Sequence, residues 1–188
     1  MTKQKIQYWV IPPESSSEFI ANMEEVLETY ALPYDARYRV ICMDEQPIQM
    51  LKETREPIAA TLEHPKRVDY EYERAGTASI FMFTEPLSGW RQVTVPEHRT
   101  KRDWATSVAT VLNTEYADAE KMILVYDNLN THTKGSFYEV FPPEKARSII
   151  SRLEIRYTPK HGSWLNIAEN ELSAMTLRVF RAAADSIH

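Results

Sequence analysis

The stretches RYRVICMDE (37–45) and KMILVYDN (121–128) decide the fold of this 188-residue chain. Each contains a short, nearly continuous apolar run, as expected of a central strand that is buried on both faces. Each run stops at an aspartate, Asp44 in the first stretch and Asp127 in the second. Because open α/β sheets keep their sites at the carboxyl ends of strands, the repeated pattern predicts two carboxylates at one edge of a sheet.

The segments around these strands predict an α/β domain. Apolar residues at helical spacing predict four helices, over residues 15–31, 100–112, 142–153 and 163–188. Runs of β-branched and aromatic residues predict further strands at 68–74, 77–83, 90–95 and 153–159. Gly76 and Gly89 separate the first three of these runs, as the turns of an antiparallel meander do. The element order favours a mixed sheet, with this meander as its antiparallel half, flanked by helices.

Composition excludes several classes of protein. Hydrophobic residues make up 43% and charged residues 26% of the chain, which excludes a disordered, collagenous or coiled-coil protein. Four glycines are too few for a glycine-rich phosphate loop. No apolar stretch approaches the roughly 18 residues of a membrane span, and the single Cys42 excludes an intramolecular disulfide. We therefore expect a cytoplasmic protein without a membrane partner.

Paired carboxylates at neighbouring strand ends predict a divalent-metal site. Carboxylate oxygens suit Mg²⁺ or Mn²⁺, which take one or two protein carboxylates and complete their shell with water and substrate phosphate. Two such ions can activate a nucleophile and stabilise the leaving oxygen in phosphodiester cleavage. The alternative is that each aspartate only ends a strand or starts a turn. The occurrence of the same pattern in two strands disfavours that alternative.

The final predicted helix offers two candidates for a third carboxylate. Its apolar stripe, at about 100° per residue, consists of Leu165, Ala168, Leu172, Met175 and Val179. Glu169 and Glu171 flank this stripe on opposite sides, and Asn166 shares only the side of Glu169. Helix geometry alone leaves the choice between the two glutamates open.

Three segments resemble the catalytic motifs of the DDE transposases encoded by bacterial insertion elements of the Tc/mariner superfamily. They are MDE (43–45), VYDNLNTHT (125–133) and YTPKHGSWLNIAENE (157–171). In that family an Asp ends the first strand, an Asp-Asn pair ends the fourth, and a Leu-Asn-x-x-Glu motif lies on the helix. The resemblance covers nearly residues 7–178.

The resemblance implies the triad Asp44, Asp127 and Glu169, both as catalytic residues and as metal ligands. Glu169 is implied because residues 165–169 read Leu-Asn-Ile-Ala-Glu. The first two members are separated by 82 residues and the last two by 41. The family varies in the second spacing, so both values are compatible with it.

The resemblance implies a ribonuclease-H-like fold and a site with two Mg²⁺ or Mn²⁺ ions. The function that it implies is DNA strand cleavage followed by strand transfer. Water attacks at the transposon ends, and the freed 3′-hydroxyl then attacks target DNA. Such chemistry requires charge neutralisation and in-line placement rather than a protein nucleophile. The implied partners are double-stranded DNA of element ends and target, a second copy of the chain on DNA, and a separate helix-turn-helix chain. A bacterial, nucleoid-associated location follows.

Three residues are expected to lie around the metal ligands and to hold them in position: Asn128, His132 and Asn166. For His132, a purely structural hydrogen-bonding role has equal weight. Glu45 follows Asp44 in the strand and is expected to face the other side of the sheet, as a structural partner.

Four cationic residues and one histidine are candidate DNA contacts: Lys160, Arg99, Lys101, Arg102 and His161. For the cluster at 99–102, the alternative is a solvated helix start. Trp164 precedes the catalytic helix, where a core position in a capped turn is favoured over stacking on a base.

The resemblance also implies how the chain is divided. Residues 1–35 are expected to form a linker-like lead with an acidic helix, and 36–188 a DDE catalytic domain that is truncated at its C-terminal end. The lead contains six acids and two lysines, a charge of −4, so that −1 of the total charge of −5 remains for 36–188. Two bound Mg²⁺ ions would make the catalytic part net positive.

A second function remains open. Members of the family usually carry helix-turn-helix modules that recognise the element ends, and no segment of this sequence resembles them. The alternative is a truncated transposase remnant that keeps the fold without autonomous transposition. Such a remnant would act, if at all, as a DNA- or protein-binding module.

Overall fold

The computed structural model describes residues 16–56, 58–67, 71–96, 98–127 and 132–185. Within them, the α-helices are α1 (Ser17–Ala31), α2 (Lys101–Thr114), α3 (Pro143–Ser151) and α4 (Ile167–Asp185). The strands are β1 (Tyr38–Glu53), β2 (Tyr72–Glu85), β3 (Trp90–Thr94), β4 (Lys121–Tyr126) and β5 (Leu153–Tyr157). None of these helices is long and apolar enough to cross a membrane.

The strands of the described residues form one mixed sheet in the order β3-β2-β1-β4-β5. β4 runs parallel to both of its neighbours, β1 and β5, whereas β2 runs antiparallel to β1 and β3. Parallel neighbours need crossover connections, and α2 and α3 lie in those connections. The predicted mixed sheet with an antiparallel meander and flanking helices is confirmed.

Helices cover both faces of the sheet. One face carries the larger core, which is built around Trp104 of α2. The other face carries a smaller core under α1 and α4, which includes Val26. Alternate residues of β1 enter the two cores, Met43 the larger and Cys42 the smaller. This double burial explains why β1 and β4 read as nearly continuous apolar runs.

Local sequence sets the starts of the first three helices. Thr100 and Asp103 form a capping box on α2, in which each side chain accepts a hydrogen bond from the other residue's amide, at 3.2 and 3.0 Å. Ser16 caps α1 by accepting from the amide of Phe19 at 3.1 Å. Pro143 lies in the first turn of α3. Because these signals are local, the three helices lie within two residues of their predicted bounds.

β1 and β2 are longer than the sequence pattern predicts. β1 continues past Asp44 to Glu53, and β2 runs through Gly76, where a turn was expected. Gly76 has a φ of +105°, which glycine tolerates, and the β1–β2 register shifts just after Gln49. Beyond the covered sheet these strands are largely exposed, so burial no longer imposes an apolar pattern. Residues 68–70 of the first predicted run lie outside the described residues.

α1 packs against the sheet. Val26 of α1 is fully buried, and Glu25 pairs with Arg156 of β5 at 3.2 Å. The acidic side of the helix faces solvent, as its sequence indicates. The division of the chain at residue 35 stays a prediction.

Candidate active site

The register of the central strands places Asp44 beside Asp127. Cys42 of β1 lies opposite Val125 of the parallel strand β4, and each aspartate follows two residues later. Cys42 and Val125 both face the core under α1 and α4, and alternation turns Asp44 to the same face. Parallel pairing therefore brings two aspartates that are distant in sequence to one edge of the sheet.

Burial and repulsion raise the pKa of both aspartates. Burial raises the pKa of Asp44 to about 6, with further contributions from the negative charges of Asp127, Glu169 and Glu45. The amide of Glu45 donates to Asp44 Oδ1 at 2.8 Å, which opposes this rise. The pKa of Asp127 is also raised, by burial and by Glu169, against the opposing charge of Arg99. Partly buried carboxyls that repel one another are typical of a functional site.

The two glutamates of α4 have different surroundings. Glu169 Oε2 is buried without a hydrogen-bond partner, and its charge acts on both Asp44 and Asp127. Glu171 accepts two hydrogen bonds from the guanidinium of Arg91 in β3, at 2.5 and 2.7 Å. These bonds lower the pKa of Glu171. Glu169 is therefore the glutamate whose charge reaches the two aspartates.

Asn166 joins the start of α4 to β1. Its Nδ2 donates to the carbonyl of Met43 at 2.8 Å, and its Oδ1 accepts from the amide of Ala168 at 3.2 Å. The second bond caps the helix. Since Met43 immediately precedes Asp44, the side chain of Asn166 sets the position of Glu169 relative to β1.

Tyr30 of α1 is a supporting residue that sequence reasoning missed. Its hydroxyl donates to the carbonyl of Leu165 at 2.8 Å, one residue before Asn166. The same hydroxyl lies 3.3 Å from the sulfur of Cys42, and burial raises the pKa of that thiol to about 11. In the sequence Tyr30 is only one member of an apolar helix face. No local signal identifies a contact that spans 135 residues.

Glu45, Arg99 and His132 form a cluster on the opposite face of β1. The Glu45 side chain is 4% exposed, pairs with Arg99, and has its Oε2 3.6 Å from His132 Nε2. His132 is buried and stacks on Trp104, with ring centroids 5.1 Å apart and planes within 8°. Burial, and secondarily Arg99, lowers the pKa of His132 to about 4. His132 is therefore neutral near pH 7, and the adjacent carboxylate does not reverse this lowering.

The remaining candidate DNA contacts lie at two starts of helices. Lys101 and Arg102 are exposed in the first turn of α2, where Lys101 pairs with Glu139 at 2.5 Å. Lys160 and His161 are exposed in the turn before α4.

Two residues remain from the sequence prediction, Asn128 and Trp164. Asn128 lies outside the described residues. The expectation that Trp164 belongs to the core is wrong, because Trp164 is 54% exposed. Leu165 takes the buried position of that turn instead.

The three carboxylates are donors that suit Mg²⁺ or Mn²⁺. All are hard oxygen ligands, and Glu169 Oε2 is buried without a partner. Among the described residues, no three His, Cys, Asp or Glu side chains are arranged to hold one ion together. Mg²⁺ commonly takes only one or two protein carboxylates and fills its shell with water and substrate phosphate. The donor set therefore fits a divalent ion without a three-residue cage.

Comparison with protein families identifies the superfamily of the chain. Residues 39–188 match the family described as DDE superfamily endonuclease. The chain belongs to the DDE superfamily. The matched range of this DDE superfamily chain begins within β1 and includes Asp44, Asp127 and Glu169. No curated protein matches the sequence.

Solved structures of a mariner transposase share the fold of this DDE superfamily chain. One is the crystal structure of the Mos1 mariner paired end complex with Mn, with a TM-score of 0.52 and 17% identity over 93% of this chain. Another is the Mos1 strand transfer complex, with a TM-score of 0.55 and 16% identity over 95% of this chain. At such identity the likeness establishes the ribonuclease-H-like fold. The chain spans about half the length of the Mos1 chains, 52% in both cases.

Proposed function

We propose that this chain is a transposase catalytic domain that cleaves and transfers DNA strands with the help of divalent metal ions. One observation carries the proposal: the parallel register of β1 and β4 places Asp44 beside Asp127, which directly follows β4, and the charge of Glu169 on α4 reaches both. Membership of the DDE superfamily supports the reaction class. The paired end and strand transfer complexes of Mos1, which has the same fold, support the assignment to transposition.

In this proposal Asp44, Asp127 and Glu169 are the catalytic residues and the metal ligands. When bound, two Mg²⁺ or Mn²⁺ ions supply Lewis-acid chemistry, which activates the attacking oxygen and stabilises the leaving oxygen. The chain itself supplies negative charge at fixed positions. The two strands hold the aspartates, and Asn166 holds the start of the helix that carries the glutamate. No protein nucleophile is required, because positioning and charge neutralisation are sufficient for phosphodiester chemistry.

The proposed substrate is double-stranded DNA, both at element ends and at the target. A homodimer on DNA, and end recognition by a separate helix-turn-helix chain, belong to the same proposal. Residues 36–188 are its catalytic domain. α1 supports that domain through the bond from Tyr30 to Leu165.

A nicking assay on element-end duplex DNA tests the proposal. Wild-type protein should nick the duplex with Mg²⁺ or Mn²⁺ and not with EDTA. Asp127→Asn and Glu169→Gln should each lower the rate by about 100-fold or more, because each removes an anionic ligand of the divalent ions that stabilise the transition state. Glu171→Gln is the matched control: it makes the same chemical change on the same helix, but at the ion pair with Arg91.

The outcomes separate the candidate functions. Equal nicking by wild type and Asp127→Asn would show that the assigned site is wrong. Equal loss in Glu169→Gln and Glu171→Gln would remove the assignment of the third ligand. No nicking by any variant, even with a helix-turn-helix module supplied in trans, would favour the transposase remnant.

A further inference from the structure

Trp164 exposes a large apolar side chain five residues before Glu169 of the candidate active site. It is 54% exposed and lies in the one-turn 3₁₀ helix Ser163–Leu165, which leads into α4. Trp104, in contrast, is fully buried in the larger core. An indole that remains in water contributes little to folding, because the gain comes from apolar area removed from solvent. Core packing therefore does not explain a tryptophan at this position.

The backbone that carries Trp164 is firmly held. The amide of Gly162 donates to the carbonyl of Pro159 at 2.8 Å, and the amide of Leu165 donates to the carbonyl of Gly162 at 3.0 Å. A Cβ on Gly162 would lie 2.6 Å from Pro159 Cγ, so the turn closes tightly on itself. Leu165 and Asn166 are buried directly after the tryptophan. The exposed ring thus stands on a rigid support, which lowers the entropic cost of binding a ligand.

The turn carries a positive charge at Lys160 and lies close in sequence to Glu169. Lys160 is exposed, and so is His161, which adopts a φ of +67° that residues with side chains rarely use. Five residues lead from Trp164 to Glu169, a path of at most about 18 Å even for a fully extended chain. The helical turns along this path shorten it. A DNA strand whose phosphodiester reaches Glu169 therefore has its neighbouring nucleotides within reach of Trp164.

We infer that Trp164 stacks on an unpaired nucleobase of the DNA strand that enters the candidate active site, while Lys160 contacts a neighbouring phosphate. The inference rests on the proposed function and names a contact for its substrate. Only an unpaired base presents a free aromatic face, since the bases of a duplex already stack on each other. Aromatic side chains bind single strands in this way without sequence preference. The adjacent lysine favours a polyanion over an apolar protein surface.

Fluorescence anisotropy with labelled DNA in EDTA tests the stacking without any cleavage. The probes are a blunt duplex and the same duplex with a short oligothymidine overhang. Trp164→Ala should weaken binding to the overhang probe by about 5- to 150-fold, as expected for the loss of one stacked base. Binding to the blunt duplex should change much less. Leu177→Ala is the matched control, because Leu177 is 61% exposed on α4 and outside the turn.

Two conservative variants separate stacking from folding. Trp164→Phe keeps an aromatic face and should retain most of the affinity, whereas Trp164→Leu keeps apolar volume and should lose it. If Trp164→Ala fails to fold, as circular dichroism would show, this pair carries the test.

Three results would overturn the inference. They are unchanged overhang binding by Trp164→Ala and Trp164→Leu, an equal loss for both probes, and a change of oligomeric state without any change in DNA binding. The last result would assign the surface to a protein contact. Selective loss of overhang binding in a chain that never nicks DNA would keep the stacking contact and remove the proposed function. Nicking that depends on Asp44, Asp127 and Glu169, together with overhang binding that Trp164→Ala leaves unchanged, would keep the proposed function and remove the stacking contact.

Discussion

Replacing Asp44 with asparagine is expected to stabilise the protein at slightly alkaline pH when no divalent metal is present. The pKa of Asp44 is raised from 3.8 to about 6, chiefly because burial penalises the ionised carboxyl and secondarily because Asp127 and Glu169 repel it. Asparagine has nearly the same shape and no charge. Its side-chain oxygen can still accept the hydrogen bond from the Glu45 amide, which is 2.8 Å long. The substitution therefore removes the cost of the charge and keeps the local bond.

The magnitude follows from the pKa of Asp44. An acid with a higher pKa in the folded than in the unfolded protein destabilises the fold above both values, and the cost vanishes as pH falls below the unfolded value. A rise from 3.8 to about 6 is equivalent to about 3 kcal/mol. Partial access of water reduces this figure, so we expect Asp44→Asn to add about 1–3 kcal/mol at pH 8 and at most about 0.5 kcal/mol at pH 4. The corresponding rise in Tm is about 2–12 °C.

Urea unfolding curves in EDTA between pH 8 and pH 4 measure this difference. Asp35→Asn is the control, since hydrogen bonds from Arg37 lower the pKa of Asp35 and its removal should give no gain. The reasoning is refuted if Asp44→Asn is no more stable than wild type at pH 8, or if its gain is as large at pH 4 as at pH 8. Excess Mg²⁺ should then stabilise wild type more than Asp44→Asn, because a ligand that binds the folded state stabilises it.

Three further predictions concern the support of the site. Asn166→Ala should lower the unfolding free energy by about 2–4 kcal/mol, because it removes the buried donor to β1 and the cap of α4. Asn166→Asp keeps the cap but places a buried carboxylate oxygen against the Met43 carbonyl, so it should be no more stable than Asn166→Ala at pH 8 in the same urea titration. Tyr30→Phe should cost about 1–2 kcal/mol, and unchanged stability would show that its hydroxyl is not a support. Gly162→Ala should lower the unfolding free energy by about 1–3 kcal/mol in thermal unfolding, since its Cβ would lie 2.6 Å from Pro159 Cγ. Gly135→Ala is the control and should be tolerated, because its Cβ would lie 3.5 Å from the nearest atom.

Local patterns in the sequence determined most of the fold. Double burial makes β1 and β4 continuous apolar runs, and the capping box of Thr100 and Asp103 marks the start of α2. The proximity of Asp44 and Asp127 was also predictable, because each aspartate ends the apolar run of a central strand, and parallel pairing aligns the two runs. In each case the signal lies within one element or follows from a general rule of sheet geometry.

Only the tertiary structure decided the surroundings of the residues on α4 and in the turn before it. Helical periodicity places Glu169 and Glu171 symmetrically about the apolar stripe of α4, and the resemblance favours Glu169. The structure shows that Glu171 pairs with Arg91, which is 80 residues away in sequence. Likewise, the exposure of Trp164 and the bond from Tyr30 depend on which surfaces other elements cover. A sequence pattern reports whether a side chain is apolar and how often it recurs. Which partner or solvent it meets is set by long-range packing, which no local spacing encodes.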